Sequence, residues 1–255
     1  MPKRSRSGSS KRKKSKKRAK TRVDKRQDKA ITRIKKLLAP EPKWRDANIG
    51  TELFSTVYGL DFTKAIRVWD GTNNDTKNNM REGQKLFFKG IKIRGTVSIP
   101  YTNVVATMDL TNRVRMVILI VPEMPYTGTT VNTVALDDVM QPSSPSIDYL
   151  YKKPAPYKYK VIYDKTFDMV NLSANNSTVL AGSNSVHGDA KISWKHNINT
   201  YIKVNKMVEY VEGTAIGQGA QPLKNVVSMF LFSDSAPGSV GHPRCQFSTR
   251  TYFLD

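Results

Sequence analysis

Cysteine is almost absent from this 255-residue chain, which has only Cys245. No intrachain disulfide can form, and no zinc or iron–sulfur site built on cysteines is available. Histidine is scarce too, at three residues: His187, His196 and His242. None has a second histidine or a cysteine at ligand spacing, so no metal centre or other cofactor is expected. Long apolar runs are also missing. Met116 to Pro122 is among the longest and is far too short to cross a bilayer as a helix. The basic N-terminal run continues to Arg22 without the apolar stretch of a secretory signal. Neither secretion nor membrane insertion is expected.

Acidic residues are thinnest at the N-terminus. The chain carries 42 Lys plus Arg against 21 Asp plus Glu, a formal net charge of +21. Residues 1–40 hold 18 basic and 2 acidic residues, a net of +16, which leaves 24 basic and 19 acidic residues, or +5, for residues 41–255. Residues 1–22, MPKRSRSGSSKRKKSKKRAKTR, contain 12 basic residues, no acid and no aromatic. So little apolar surface cannot offset the entropy of folding, and this arm is expected to be disordered until a polyanion meets it. The expected nucleic-acid contacts are Lys3, Arg4, Arg6, Lys11, Arg12, Lys13, Lys14, Lys16, Lys17, Arg18, Lys20 and Arg22. Charge without shape predicts little sequence preference and an affinity that falls steeply with salt. Lys11 to Lys20 also fits a nuclear-localisation pattern.

Within 23–38, Ala30, Ile31, Ile34, Leu37 and Leu38 fall on one side of a 3.6-residue period, marking a candidate short amphipathic helix. Ala39-Pro40-Glu41-Pro42 ends it, because proline lacks a backbone donor and restricts its predecessor. Two readings stand open: the apolar stripe docks on the body, or the helix forms only alongside nucleic acid or a neighbouring subunit.

After Trp44 the period becomes two, and eight strands are expected: 51–58, 86–99, 113–121, 158–163, 165–170, 191–204 with a break inside it, 224–232 and 245–253. From Ile91 to Ile99 the apolar residues stand at odd positions, the signature of a half-buried strand. Arg113 to Val121 begins with alternation and ends apolar on both faces, which calls for a loop or a partner subunit over its outer side. Residues 41–255 thus read as one all-β domain, large enough to bury a real core. Its long connections, 71–85 and 122–157, have turn composition and suit a Greek-key double sheet better than a meander barrel. In the second of them Tyr149, Tyr151, Tyr157 and Tyr159 interleave with Lys152, Lys153, Lys158 and Lys160. This strip fits ordinary packing or a protein interface, with base stacking the competing reading.

No enzyme signature emerges. His187-Gly188-Asp189 lacks a nucleophile elbow before it and reads as a turn. Asp137-Asp138, and Asp164 with Asp168, have neither phosphate-loop nor calcium-loop spacing; the latter pair reads as a turn or as lysine partners. Gly213 to Gly219, GTAIGQG, lacks the lysine and hydroxyl of a phosphate loop.

The basic, Ser-containing arm followed by an all-β domain with Lys160-Val161-Ile162-Tyr163-Asp164-Lys165-Thr166-Phe167 in its middle resembles the capsid proteins of small circular, replication-initiator-encoding single-stranded DNA viruses, the circovirus-like group. Arg113 to Val121 and Cys245 to Leu254 resemble that group as well, although the arm is poorer in arginine than that of circoviruses proper. The resemblance implies a single eight-stranded jelly roll and a T=1 icosahedral shell of about sixty copies, a closed homo-oligomer. It also implies a single-stranded DNA genome held by the arm, with RNA as the variant. A host nuclear import receptor would be a partner, and the locations would be the virion and the host nucleus. The competing class is a cellular, non-specific nucleic-acid-binding protein with a β-rich interaction domain.

Overall fold

The computed structural model describes residues 25–31, 40–52, 58–68, 79–99, 111–124, 133–141, 148, 150–153, 155–156, 158–170, 194–211, 221–235 and 242–255. The chain divides into two compact units, Met1–Pro40 and Glu41–Asp255. In the first unit, residues 25–31 are helical and exposed. They include Ala30 and Ile31 of the expected stripe. Ile34, Leu37 and Leu38 lie outside the described residues, as do all twelve basic residues from Lys3 to Arg22.

The second unit contains eight strands: β1 (Pro42–Glu52), β2 (Tyr58–Asp61), β3 (Lys85–Ser98), β4 (Thr111–Glu123), β5 (Lys160–Val170), β6 (Lys195–Tyr210), β7 (Pro222–Ser233) and β8 (Arg244–Leu254). One layer runs β1-β8-β3-β6; in the other, β7 lies between β2 and β4, and β5 pairs with β4. Every pairing is antiparallel. The layers join where β6 meets β7, at Glu209–Lys224 and Tyr210–Pro222. Strands far apart in sequence are thus neighbours in both layers, as crossing Greek-key connections require. The domain is an eight-stranded antiparallel sheet resembling a jelly-roll sandwich.

The main core fills the space between the layers. Ile91, Ile93 and Val97 of β3 and Phe247 and Phe253 of β8 join Met116 and Ile118 of β4 and Met229 and Leu231 of β7 in one buried cluster. Two glycines let β3 lie close to its neighbours. A Cβ on Gly95 would stand 2.0 Å from the Gln246 carbonyl oxygen, and one on Gly90 would stand 2.5 Å from that of Ile202. Neither backbone has room for a side chain.

A second cluster lies on the far side of β4 and β7. Val117, Leu119 and Val121 with Val226, Phe230 and Phe232 meet Met124, Leu136, Val139 and Met140. The connection between β4 and β5 supplies this cover, as the apolar second half of β4 required. Within it, Leu136–Val139 forms a single helical turn and Met140 bridges Tyr151, so this stretch is not wholly irregular.

Several expected boundaries are corrected. The strand expected at 51–58 is two elements, β1 and β2, with β1 beginning at Pro42. Its start was hidden because it buries Lys43 and exposes Trp44, reversing the usual pattern. Lys43 is held inside by Glu82 and Asp255, each 3.1 Å from its Nζ. Burial works against the charge, but those two hydrogen bonds outweigh it and raise the Lys43 pKa. The strands expected at 158–163 and 165–170 form one continuous strand, β5. Asp164 and Lys165 are both exposed on this edge strand, which breaks the alternation, although the pairing with β4 keeps its register from Val170 to Tyr163; the one shift falls beyond them, between Tyr163 and Val161. Strand β6 has no break from Lys195 onward and runs past Val204 to Tyr210. Its Asn205 takes a positive φ of 50°, opposite the irregularity between Phe88 and Gly90, and three exposed residues follow one another from Asn205 to Met207. Residues 71–78 of the connection 71–85, the whole of Gly213 to Gly219, and His187 lie outside the described residues.

Candidate nucleic-acid interface

Strand β3 sets the geometry of a basic face among the described residues. Its inward residues Ile91 and Ile93 are fully buried, so Lys92 and Arg94 must point to the opposite side. Cross-strand partners share a face, and the register extends these two positions into rows. Asp46, Arg250, Lys92 and Tyr201 form one row across β1, β8, β3 and β6. Asn48, Ser248, Arg94 and Asn199 form the next; Trp44, Tyr252, Gly90 and Lys203 form the row on the other side. Asp46 is the single carboxylate in these rows, against four cations.

That carboxylate is already engaged. Arg250 donates to both oxygens of Asp46, each at 2.7 Å, and its guanidinium carbon stands 5.9 Å from the Trp44 ring centroid. The fork of Arg250 holds the Asp46 carboxyl below its ordinary range. Trp44 is 36% exposed and Tyr201 49% exposed. The rings of Tyr201 and Tyr252 meet edge to face, with centroids 6.1 Å apart. Tyr201 lies across Gly90, where an added Cβ would come within 2.8 Å of its Cζ. Near the opposite end of β6, Trp194 is also exposed, with the Lys195 ammonium 5.9 Å from its ring centroid.

The tyrosine–lysine strip has a different role. Tyr151 donates to Asp164 Oδ2 at 2.6 Å, and Arg115 grips the same carboxylate through Nε at 2.9 Å and Nη2 at 2.7 Å. Burial raises the Asp164 carboxyl, but the hydrogen bonds from Arg115 and Tyr151 reverse this and leave it below its ordinary value. Burial together with that carboxylate pushes the Tyr151 hydroxyl upward. Tyr159 donates to the Lys152 carbonyl, and its ring sits 6.0 Å from that of Tyr151. Both rings pack against the second apolar cluster, the ordinary packing expected of the strip. Tyr149 and Tyr157 lie outside the described residues. An open depression of about 790 Å³ remains here, lined by Tyr151, Lys152, Lys153, Pro156 and Lys158 among others.

Among the described residues, the acids and histidines singled out in the sequence bond within the fold. Asp164 and Asp168 lie in β5, not in a turn, and pair with Arg115 and Arg113 instead of lysine. Asp137 and Asp138 stand in the first turn of the short helix, where Asp138 accepts from the Ala135 amide. His196 Nε2 lies 2.8 Å from the Asp168 carbonyl oxygen. His242 Nδ1 lies 2.8 Å from Ser235 Oγ, but Ser235 is buried and offers no approach to a substrate carbonyl. Burial pushes the Cys245 thiol up to about 12, which removes the thiolate a nucleophile needs. Among the described residues no group of three His, Cys, Asp or Glu side chains is placed to hold a metal ion. No described helix is long and apolar enough to cross a membrane.

No protein-family model matches the chain, and no curated protein matches it. Among solved structures, one from Desmodium yellow mottle tymovirus is matched over 84% of this chain and 87% of its own, with 12% identity and a TM-score of 0.30. An overlay that loose carries neither fold nor function across. The reading of the protein rests on its own charge and geometry.

The basic face was not singled out from the sequence. Its alternation in β3 was visible, and Lys92 and Arg94 were its polar positions. The rows, however, draw on four strands spread from Trp44 to Tyr252, and only the register brings them together.

Proposed function

We propose that the protein is a viral capsid subunit that assembles through its sandwich domain into an icosahedral shell and packages single-stranded DNA with its basic arm. The observation that carries this reading is an arm of net +16 joined to a body of only +5, whose β strands follow a jelly-roll order. A body near neutrality can pack against copies of itself, while the arm neutralises a polyanion. In a T=1 shell, about sixty arms would bring roughly 960 positive charges to the genome, enough for a sizeable part of a few thousand phosphates. The resemblance of Arg113–Val121 and Lys160–Phe167 to circovirus-like capsid proteins points the same way. In this reading Lys11 to Lys20 engages a host import receptor, assembly takes place in the nucleus, the mature location is the virion, and the subunit has no catalytic role.

Negative-stain imaging of the full-length protein, with nuclease protection of what it carries, tests the proposal. Closed particles of uniform size holding protected single-stranded DNA are expected. Protected RNA would change the genome while keeping the shell. A protein that stays monomeric, or forms one small oligomer, at every salt concentration and pH would overturn the proposal.

A further inference from the structure

The arm accounts for indiscriminate phosphate binding but gives no role to the rings and cations on the outer face of the β1-β8-β3-β6 layer. We propose that this face is a second nucleic-acid site, on which bases of a single strand stack against Tyr201, Tyr252 and Trp44 while Lys92, Arg94 and Lys203 hold the flanking phosphates. This rests on the nucleic-acid half of the proposed function and is independent of shell assembly.

Three observations support this occupant. The rings are held in place before any ligand arrives: Tyr201 is seated over Gly90 and braced edge to face by Tyr252, while Trp44 is flanked by Arg250. The two tyrosines, packed on each other and on Gly90, therefore have less rotamer freedom to lose on binding. The charge is one-sided, because the only carboxylate in the three rows, Asp46, is bonded to Arg250. A protein partner would meet the kind of lysine-bearing surface that interface cores avoid. Finally, the aromatic groups suit unpaired bases. Every base has a π face, so stacking tolerates any sequence, whereas a duplex keeps those faces inside its own stack.

The test uses full-length protein freed of nucleic acid in high salt. Its probes are a short oligothymidylate, an abasic strand of equal length and charge, and a duplex of the same length. The oligothymidylate should bind about tenfold more tightly than the abasic strand, from one or two stacked bases. Tyr201→Leu should remove most of that difference, Tyr201→Phe should keep it, and neither should alter duplex affinity. A strand carrying iodouridine should photocross-link to peptides of β1, β6 or β8. Because Tyr201→Leu also removes the ring over Gly90, the double variant Lys92→Gln/Arg94→Gln gives a separate reading. It should lower the salt dependence of single-strand binding by about two phosphate contacts. Equal affinity for thymidylate and abasic strands would overturn the stacking face and leave the arm intact. Failure to bind any probe would overturn the face and the nucleic-acid reading together.

Discussion

Strands β7 and β8 both lie inside their layers, yet β7 turns Val226, Phe230 and Phe232 outward while β8 turns Gln246, Ser248 and Arg250 outward. The difference comes from what lies above them. The connection between β4 and β5 returns over β7 and covers it with Met124, Leu136, Val139 and Met140. The described residues provide no such cover over β8, whose outward positions are exposed up to Arg250. Strands β4 and β7 therefore carry near-continuous apolar runs and β8 strict alternation, although all three bury their inner faces in the same core.

The sharpest way to break this comparison is to empty the covered side. Phe232→Ala should cost about 3–5 kcal/mol, because removing the fully buried ring leaves a cavity between β7 and the connection that covers it. Urea denaturation measures this, and a cost below about 1 kcal/mol would mean that the cover does not seal the face. The next effect lies where that connection is tied down. Asp164→Asn weakens the grip of Arg115 and Tyr151 and should cost about 1–3 kcal/mol. The folded Asp164 carboxyl titrates below its ordinary value of 3.8. It thus binds fewer protons folded than unfolded near that pH, and its stabilisation is complete above 3.8 and is lost as pH falls through the lower folded value. The variant should show a shallower loss of stability below that pH than the native chain, as followed by acid titration of the denaturation midpoint.

The smallest effect belongs to the open side. Arg94→Gln should leave stability within about 0.5 kcal/mol, since its side chain projects from an exposed row. The same change should lower the salt dependence of nucleic-acid binding by about one phosphate contact. A large loss of stability here would indicate that the face is covered in solution and would remove the contrast between the layers.

How much could be read from the sequence follows this contrast. Strands β3 and β8 were legible because one side is core and the other open, so Ile91, Ile93, Cys245 and Phe247 alternate with polar residues. The cover over β4 was legible from the doubly apolar end of that strand. The start of β1 was not, because Lys43 is made compatible with burial by Glu82 and Asp255, which lie far from it in sequence. Strand β5 looked like two strands because, at the edge of its layer, Asp164 and Lys165 are exposed side by side within a continuous ladder. The charge of the arm was visible as a run. The basic face was not, since Trp44, Lys92, Tyr201 and Arg250 become neighbours only through pairing.

The position of β8 between β1 and β3 has a consequence for synthesis. Asp46 and Arg250 form their ion pair across 204 residues. At ribosomal speeds of about 5–20 residues per second, roughly 10–40 s separate the appearance of these two partners. Until β8 arrives, the edges of β1 and β3 that will receive it stay unpaired, and the layer cannot close. Nascent chains on one message are therefore held short of the native sandwich until β8 of each has emerged, which delays any encounter between folded subunits.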